Sequence, residues 1–171
     1  VIDAFVTVSY RDTHYCVRAS RELGVDRLDT SVGPFKIEVL EGLRKLRLSC
    51  APNEHGVDFD LVFDGFVPAL EEPVTYRRSG NRLMEHTQRF AQVGNYTGHI
   101  NVDGKHFDVT PDRWMGARDH SWGIRPNVGE MEPVGVNAKY RDYEAFGHYH
   151  NWIPAQFDDY MIKVYFDEDG Q

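Results

Sequence analysis

The chain of 171 residues lacks several features that mark common functional classes. It has no run of 18 apolar residues, so a membrane-spanning helix is not expected. Its formal net charge is -8 and no lysine and arginine cluster is present, which argues against nucleic-acid binding. It also lacks a glycine-rich phosphate loop, a Ser-His-Asp order and a nucleophile elbow, so a nucleotide enzyme or a serine hydrolase has little support.

Cysteine is scarce as well, with only Cys16 and Cys50, and neither belongs to a Cys-x-x-Cys motif. Both lie in apolar, strand-like segments, so we expect buried free thiols. Free thiols suit a reducing compartment, and no secretory signal is visible, so the sequence favours a cytoplasmic location.

The chain begins at Val1 and ends at Asp169-Gly170-Gln171, directly after an apolar run. Because Asp-Gly after a strand commonly starts a hairpin, we expect a return strand beyond Gln171. The pattern therefore predicts a piece of a longer protein, which would pair with its missing half or with a second copy of itself.

What the sequence does contain is alternation, with 41% hydrophobic and 13% aromatic residues. Residues 57–64 alternate apolar side chains with mostly acidic ones, as a half-buried strand does. Asp103-Gly104 predicts a two-residue hairpin turn, which would place Ile100 opposite Phe107. Only residues 81–92 have helical spacing. These patterns predict an all-β fold of antiparallel strands, arranged as a sandwich or a barrel.

The segment 113–125 concentrates aromatic and titratable side chains. Two tryptophans bracket an aspartate and a histidine, with two arginines nearby: Trp114, Arg118, Asp119, His120, Trp122 and Arg125. Aromatic walls with a few convergent polar groups are typical of an apolar binding pocket. The alternative is a structural strand, in which the polar groups only satisfy hydrogen bonds.

The Arg-Asp-His-Ser-Trp-Gly run at 118–123 resembles the motif of AttH-like, carotenoid 1,2-hydratase-like proteins. Ile37–Leu48 and Asp58–Phe63 are similar to two further strands of that family, so the resemblance covers roughly residues 33–125. It implies a lipocalin-like (calycin) β-barrel or half-barrel in a two-unit protein. We therefore expect a β domain over residues 1–125, and a crossover with the first strands of a second unit over 126–171.

The resemblance also implies a site. In the hydratase branch the motif His and Trp line the active site, which corresponds to His120 and Trp122, and a later Asp acts as the acid. Asp142 and Asp158 are candidates for that later acid. This chain has Arg118 where the hydratases usually have a different residue, which puts hydration itself in doubt.

Hydration of an apolar double bond needs an acid, a base that orients water and aromatic walls for a carbocation. Asp119, His120 and the two tryptophans would suit those roles. However, alternation puts Arg118, His120 and Trp122 on one strand face and Asp119 on the other, unless Gly116 or Gly123 allows a bend. The same residues would equally suit a carrier, with Arg118 or Arg125 keeping Asp119 ionised.

A second group of candidates is His148-Tyr149-His150, whose imidazoles would project from one strand face. That spacing suits a metal, although no acid follows at a useful distance. We therefore expect no metal and no cofactor, and we assign all three residues to ligand binding. The leading expectation is a protein that binds a hydrophobic small molecule and possibly hydrates, isomerises or cyclises it. A non-catalytic carrier is the alternative, and a metal-dependent β-barrel enzyme is a weaker one.

Overall fold

The computed structural model describes residues 1–125 and 148–169, and every regular element in those ranges is a β-strand. The predicted all-β class is confirmed. Within the same ranges no helix has the length and apolar character needed to cross a membrane. The strands are β1 (Ile2–Tyr10), β2 (Thr13–Arg21), β3 (Phe35–Glu41), β4 (Lys45–Cys50), β5 (Val57–Gly65), β6 (Leu70–Glu71), β7 (Thr75–Ser79), β8 (Arg82–Val102), β9 (Lys105–Val109), β10 (Met115–Ile124), β11 (His148–Gln156) and β12 (Met161–Asp169).

The described strands form three sheets, and none of them closes into a barrel. Two are the hairpins β1–β2 and β11–β12. The third is an eight-stranded sheet in which β10, β8, β5, β4 and β3 follow one another, while β6, β7 and β9 also pair with β8. The pairs with a defined register are antiparallel, which confirms the predicted antiparallel pairing of the strands.

The chain divides into two compact units that interleave along the sequence. The first comprises Val1–Pro68 and Val93–Gly116, and the second comprises Ala69–Gln92 and the described residues after Gly116. β8 and β10 each contribute residues to both units. The boundary predicted between residues 125 and 126 stays a prediction, because the residues that follow it lie outside the described part of the chain.

The first unit has an apolar core. Its buried members are Val17, Val32, Phe35, Cys50, Val57 and Val102. Alternate residues of β1 pack against this core, because a strand in contact with a core on one side buries every second side chain. The core therefore lies against the β1–β2 hairpin and against β3, β4, β5 and β8.

The predicted hairpin at Asp103-Gly104 is confirmed. Both turn residues have positive φ, at 52° and 71°, as a tight two-residue turn requires. Ile100 pairs with Phe107, as the turn predicted. Turn chemistry and alternation thus fixed the register of β8 and β9 together.

The alternation predicted for β5 is confirmed at Val57 and Phe63, which are 1% exposed. The acidic positions of β5 are half-buried rather than fully exposed, and basic side chains of β4 cover two of them. Arg47 contacts Asp60 at 2.5 Å, and Lys45 contacts Asp64 at 2.8 Å. The hydrogen bond from Arg47 lowers the pKa of Asp60, so this carboxyl group stays ionised.

The helical spacing of residues 81–92 was misleading, since these residues belong to the 21-residue strand β8. Glu85 and Thr87 are buried in this strand, so polar residues occupy some of its buried positions and the apolar spacing does not follow the strand. The expectation of two buried thiols is half wrong. Cys50 is 2% exposed in the first core, whereas Cys16 is exposed on β2, because it alternates with the buried Val17.

Gly98 should be required for the packing of β8 on β5. It has a φ of 128°, and a Cβ added there would lie 2.0 Å from the carbonyl oxygen of Asp60. We expect Gly98→Ala to lower the free energy of unfolding, measured by urea denaturation, by about 2–4 kcal/mol. The strained backbone conformation and the steric clash with Asp60 would both destabilise the folded state. Gly42→Ala is the control, since a Cβ there meets nothing within 4 Å. Equal stability of the two variants would contradict this account of β8.

The two thiols should differ in reactivity. Burial, with the nearby charge of Asp58, raises the pKa of Cys50 from 9.0 to about 11. Because the thiolate is the reactive form, native protein at pH 8 should take up one iodoacetamide label, at Cys16, and a second only after unfolding. A Cys16→Ser variant should take up none while folded. Rapid native labelling of Cys50 would show that the core is open.

The unfolded thiol ionises first, so the contribution of Cys50 to stability should be complete below pH 9 and lost as the pH rises through 11.

Candidate functional site

The three alternate motif residues of β10 converge on one ring of the neighbouring strand β8. The guanidinium carbon of Arg118 lies 4.8 Å from the centroid of the Phe90 ring. The His120 ring stacks on Phe90 at 5.3 Å with an interplanar angle of 11°. Trp122 meets Phe90 edge-on at 6.4 Å and lies 5.4 Å from His120. We call Phe90, Arg118, His120 and Trp122 the aromatic face.

The aromatic face has a buried base and an open surface. Phe90 is only 8% exposed, whereas Trp122 is 44% exposed and His120 is also exposed. Arg118 is half-buried. A buried ring thus holds a cation, an imidazole and an indole in fixed positions, with apolar surface of the last two directed to solvent.

Asp119 lies on the other side of β10. Its carboxylate accepts a hydrogen bond of 3.4 Å from Ser121, and Arg125 donates one of 3.2 Å to the same hydroxyl. Asp119 thus shares a strand face with Ser121 rather than with His120. Gly123 has a φ of 120°, and a Cβ there would lie 2.1 Å from the carbonyl oxygen of His86, so this glycine serves close contact with β8.

Trp114 belongs to the first unit, immediately before β10. Its carbonyl oxygen accepts a hydrogen bond of 2.8 Å from the backbone N–H of Tyr96, and the residue is 37% exposed. Gly116 lies under the same tyrosine, since a Cβ at Gly116 would meet the Tyr96 ring at 2.3 Å. Trp114 is therefore placed by the first unit, and the aromatic face by the second.

The second group of candidates lies on the β11–β12 hairpin. The Tyr149 ring contacts Phe166 at 5.8 Å, and the His150 ring contacts Tyr165 at 5.1 Å. Alternation puts Tyr149 and His150 on opposite faces of β11. The side chain of His148, and the later candidate Asp142, fall outside the described part of the chain. Asp158 is exposed in the turn that links β11 and β12.

The described residues contain no group of three or more His, Cys, Asp or Glu side chains placed to hold a metal. Phe90, the centre of the aromatic face, was missed as a site residue by sequence reasoning. It lies in the segment with helical spacing, and nothing local to it indicates that residues about 30 positions later pack on its ring. The pairing of β8 with β10 creates that contact.

A model of a family of unknown function (DUF8625) matches residues 1–171, so the chain belongs to that family. No curated protein matches the chain, and no solved structure does.

The stacking of His120 on Phe90 should be visible by NMR. A ring stacked at 5.3 Å shields the imidazole protons, so His120 should resonate upfield of His55, which is exposed beside Glu54. Phe90→Leu keeps an apolar side chain but removes the ring, and it should move the His120 signals downfield. Signals of His120 that match those of His55 in the parent protein would show that the aromatic face is not formed in solution.

Proposed function

We propose that this member of the family binds a hydrophobic small molecule, of the terpenoid, polyketide, steroid or lipid type, on the aromatic face. The observation that carries the proposal is the packing of Arg118, His120 and Trp122 on the buried Phe90 ring. Side chains fixed in this way lose little conformational freedom when a ligand covers them.

The exposed part of this surface supplies the binding energy. Trp122 is 44% exposed, so a ligand can still remove much of its indole from water. At roughly 25 cal/mol per Å² of apolar area, covering half an indole contributes about 1–2 kcal/mol. The stacked guanidinium of Arg118 favours a ligand with π electrons or a polar end above an apolar body.

The resemblance of residues 33–125 to the hydratase-like proteins supports the same class of ligand. It also motivates the finer part of the fold proposal, namely that the two units are lipocalin-like half-barrels. The division of the described residues into two all-β units agrees with that organisation.

A carrier is favoured over a hydratase by the position of Asp119. Its carboxylate hydrogen-bonds Ser121 on the face of β10 opposite His120, so an acid and a base do not meet on one ligand. Catalysis remains a second candidate because the imidazole of His120 contacts both Phe90 and Trp122 within the aromatic face. In that case His120 alone would transfer the proton.

Binding can be measured with β-ionone, a neutral apolar isoprenoid, by isothermal titration calorimetry. Trp122→Ala should weaken binding roughly 5- to 30-fold, the scale of losing a half-exposed aromatic contact. Asp119→Asn is the matched control, because it changes a neighbouring residue on the other strand face, and it should bind as the parent does. Tyr149→Ala should also leave affinity unchanged, since Tyr149 contacts Phe166 instead.

Equal affinity of the Trp122→Ala variant and the parent would overturn the assignment of the ligand to this face. Turnover of an isoprenoid alkene separates the two candidates. A parent protein that binds but does not hydrate it is a carrier. Hydration that is lost in His120→Ala and kept in Asp119→Asn would establish the enzyme.

A further inference from the structure

The second unit buries charged side chains where the first unit buries apolar ones. Glu85, Thr87 and Arg89 alternate with Phe90 along β8, so they lie on the face opposite the aromatic face. Glu85 is 7% exposed and Thr87 is fully buried. Buried charges are costly unless each is matched by a partner, so their pairing shows what this face can bind.

One carboxylate of this network is fully matched. Glu72 follows β6 and lies opposite Arg89, whose carbonyl oxygen accepts its backbone N–H at 2.9 Å. The carboxylate contacts the ammonium of Lys163 at 2.5 Å and accepts a hydrogen bond of 3.3 Å from the Trp152 indole. The side chains of Glu72 and Lys163 are only 6% and 9% exposed. This pair neutralises itself.

The other carboxylate is matched by Arg77 rather than by Arg89. Arg77 donates to one oxygen of Glu85 through Nε at 2.8 Å and through a terminal nitrogen at 2.5 Å. The other oxygen receives a hydrogen bond of 3.4 Å from Thr87 and lies 4.0 Å from Arg89. Arg89 therefore makes only a long contact with Glu85, whose carboxylate is already paired with Arg77.

Arg89 is the surplus cation of this face. Its side chain is 18% exposed, its Nε is buried, and no described residue accepts a hydrogen bond from that Nε. Among the described residues of this face, Arg77, Arg89 and Lys163 stand against two carboxylates, an excess of one positive charge. Arg77 is 67% exposed and therefore hydrated, whereas Arg89 is largely buried and lacks a complete partner. A buried donor on an incompletely matched guanidinium is costly, and a single negative charge would satisfy it.

We propose that Arg89 binds the carboxylate of a small organic acid at a second site, on the face of β8 opposite Phe90. A carboxylate accepts from Nε and one terminal nitrogen of a guanidinium in two parallel hydrogen bonds. One surplus charge matches a monoanion, whereas a phosphate dianion would leave a negative charge buried beside Glu85. The site is independent of the aromatic face and of the function proposed for it.

Sodium benzoate is the probe, compared with sodium chloride at equal ionic strength, and the readout is the Tm of the whole chain. At a tenfold excess of benzoate over its Kd, we expect a saturable rise of roughly 3–6 °C over the chloride sample. Arg89→Gln should abolish the rise. Arg44→Gln, which alters an exposed arginine of the first unit, should keep it.

A second measurement covers the case in which Arg89→Gln does not fold. In the parent protein the Nε–H signal of Arg89 should shift downfield along one saturable curve as benzoate is added, because that proton gains an acceptor. A Tm and an Nε–H signal that respond to benzoate no more than to chloride would overturn the proposal. Tighter binding of inorganic phosphate than of benzoate would overturn the choice of a monocarboxylate. Binding of neutral β-ionone does not require Arg89. A negative benzoate result would therefore not bear on the ligand proposed for the aromatic face, and a negative β-ionone result would not bear on the site at Arg89.

Discussion

The structure depends on the extended conformation of β8, which runs without interruption over the 21 residues Arg82–Val102. Five other strands pair with it, so its backbone N–H and C=O groups set the register of most of the main sheet. Such pairing needs close approach of neighbouring backbones. Gly98 on β8 and Gly123 on β10 provide it, since each has positive φ and a carbonyl oxygen where a Cβ would be. The aromatic face lies on one side of the first half of this strand, and Glu85 and Arg89 lie on the other.

The two units use the same strand for different purposes. Where β8 belongs to the first unit, it contributes apolar residues such as Val102 to a core that includes Cys50 and Val57. Where it belongs to the second, it buries Glu85, Thr87 and Gln92. An apolar core stabilises without directional demands, whereas buried polar groups need defined partners and are usual where a protein binds something. The site proposed at Arg89 lies among these buried polar groups of the second unit.

Local patterns predicted those parts of the fold in which one side of a strand faces an apolar core. The register of Ile100 with Phe107 followed from Asp103-Gly104, and the burial of Phe63 followed from the alternation of β5. The prediction for the first half of β8 was wrong because this segment buries polar residues as well as apolar ones. Its buried positions hold Glu85 and Thr87, so the apolar residues that remain show a helical spacing that does not report the fold. The predicted burial of Cys16 was wrong because apolar neighbours in the sequence do not indicate which strand face a residue occupies.

In the candidate site, alternation along β10 was enough to predict the side on which each of its residues lies. Arg118, His120 and Trp122 share a face, and Asp119 takes the other, because successive side chains of a strand point to opposite sides. The residues that those faces contact depend on the folded chain. It brought Phe90 under three motif residues, and it joined Trp152 to Glu72, 80 positions apart. Contacts of that range depend on strand pairing and burial across the whole chain, which no local pattern encodes.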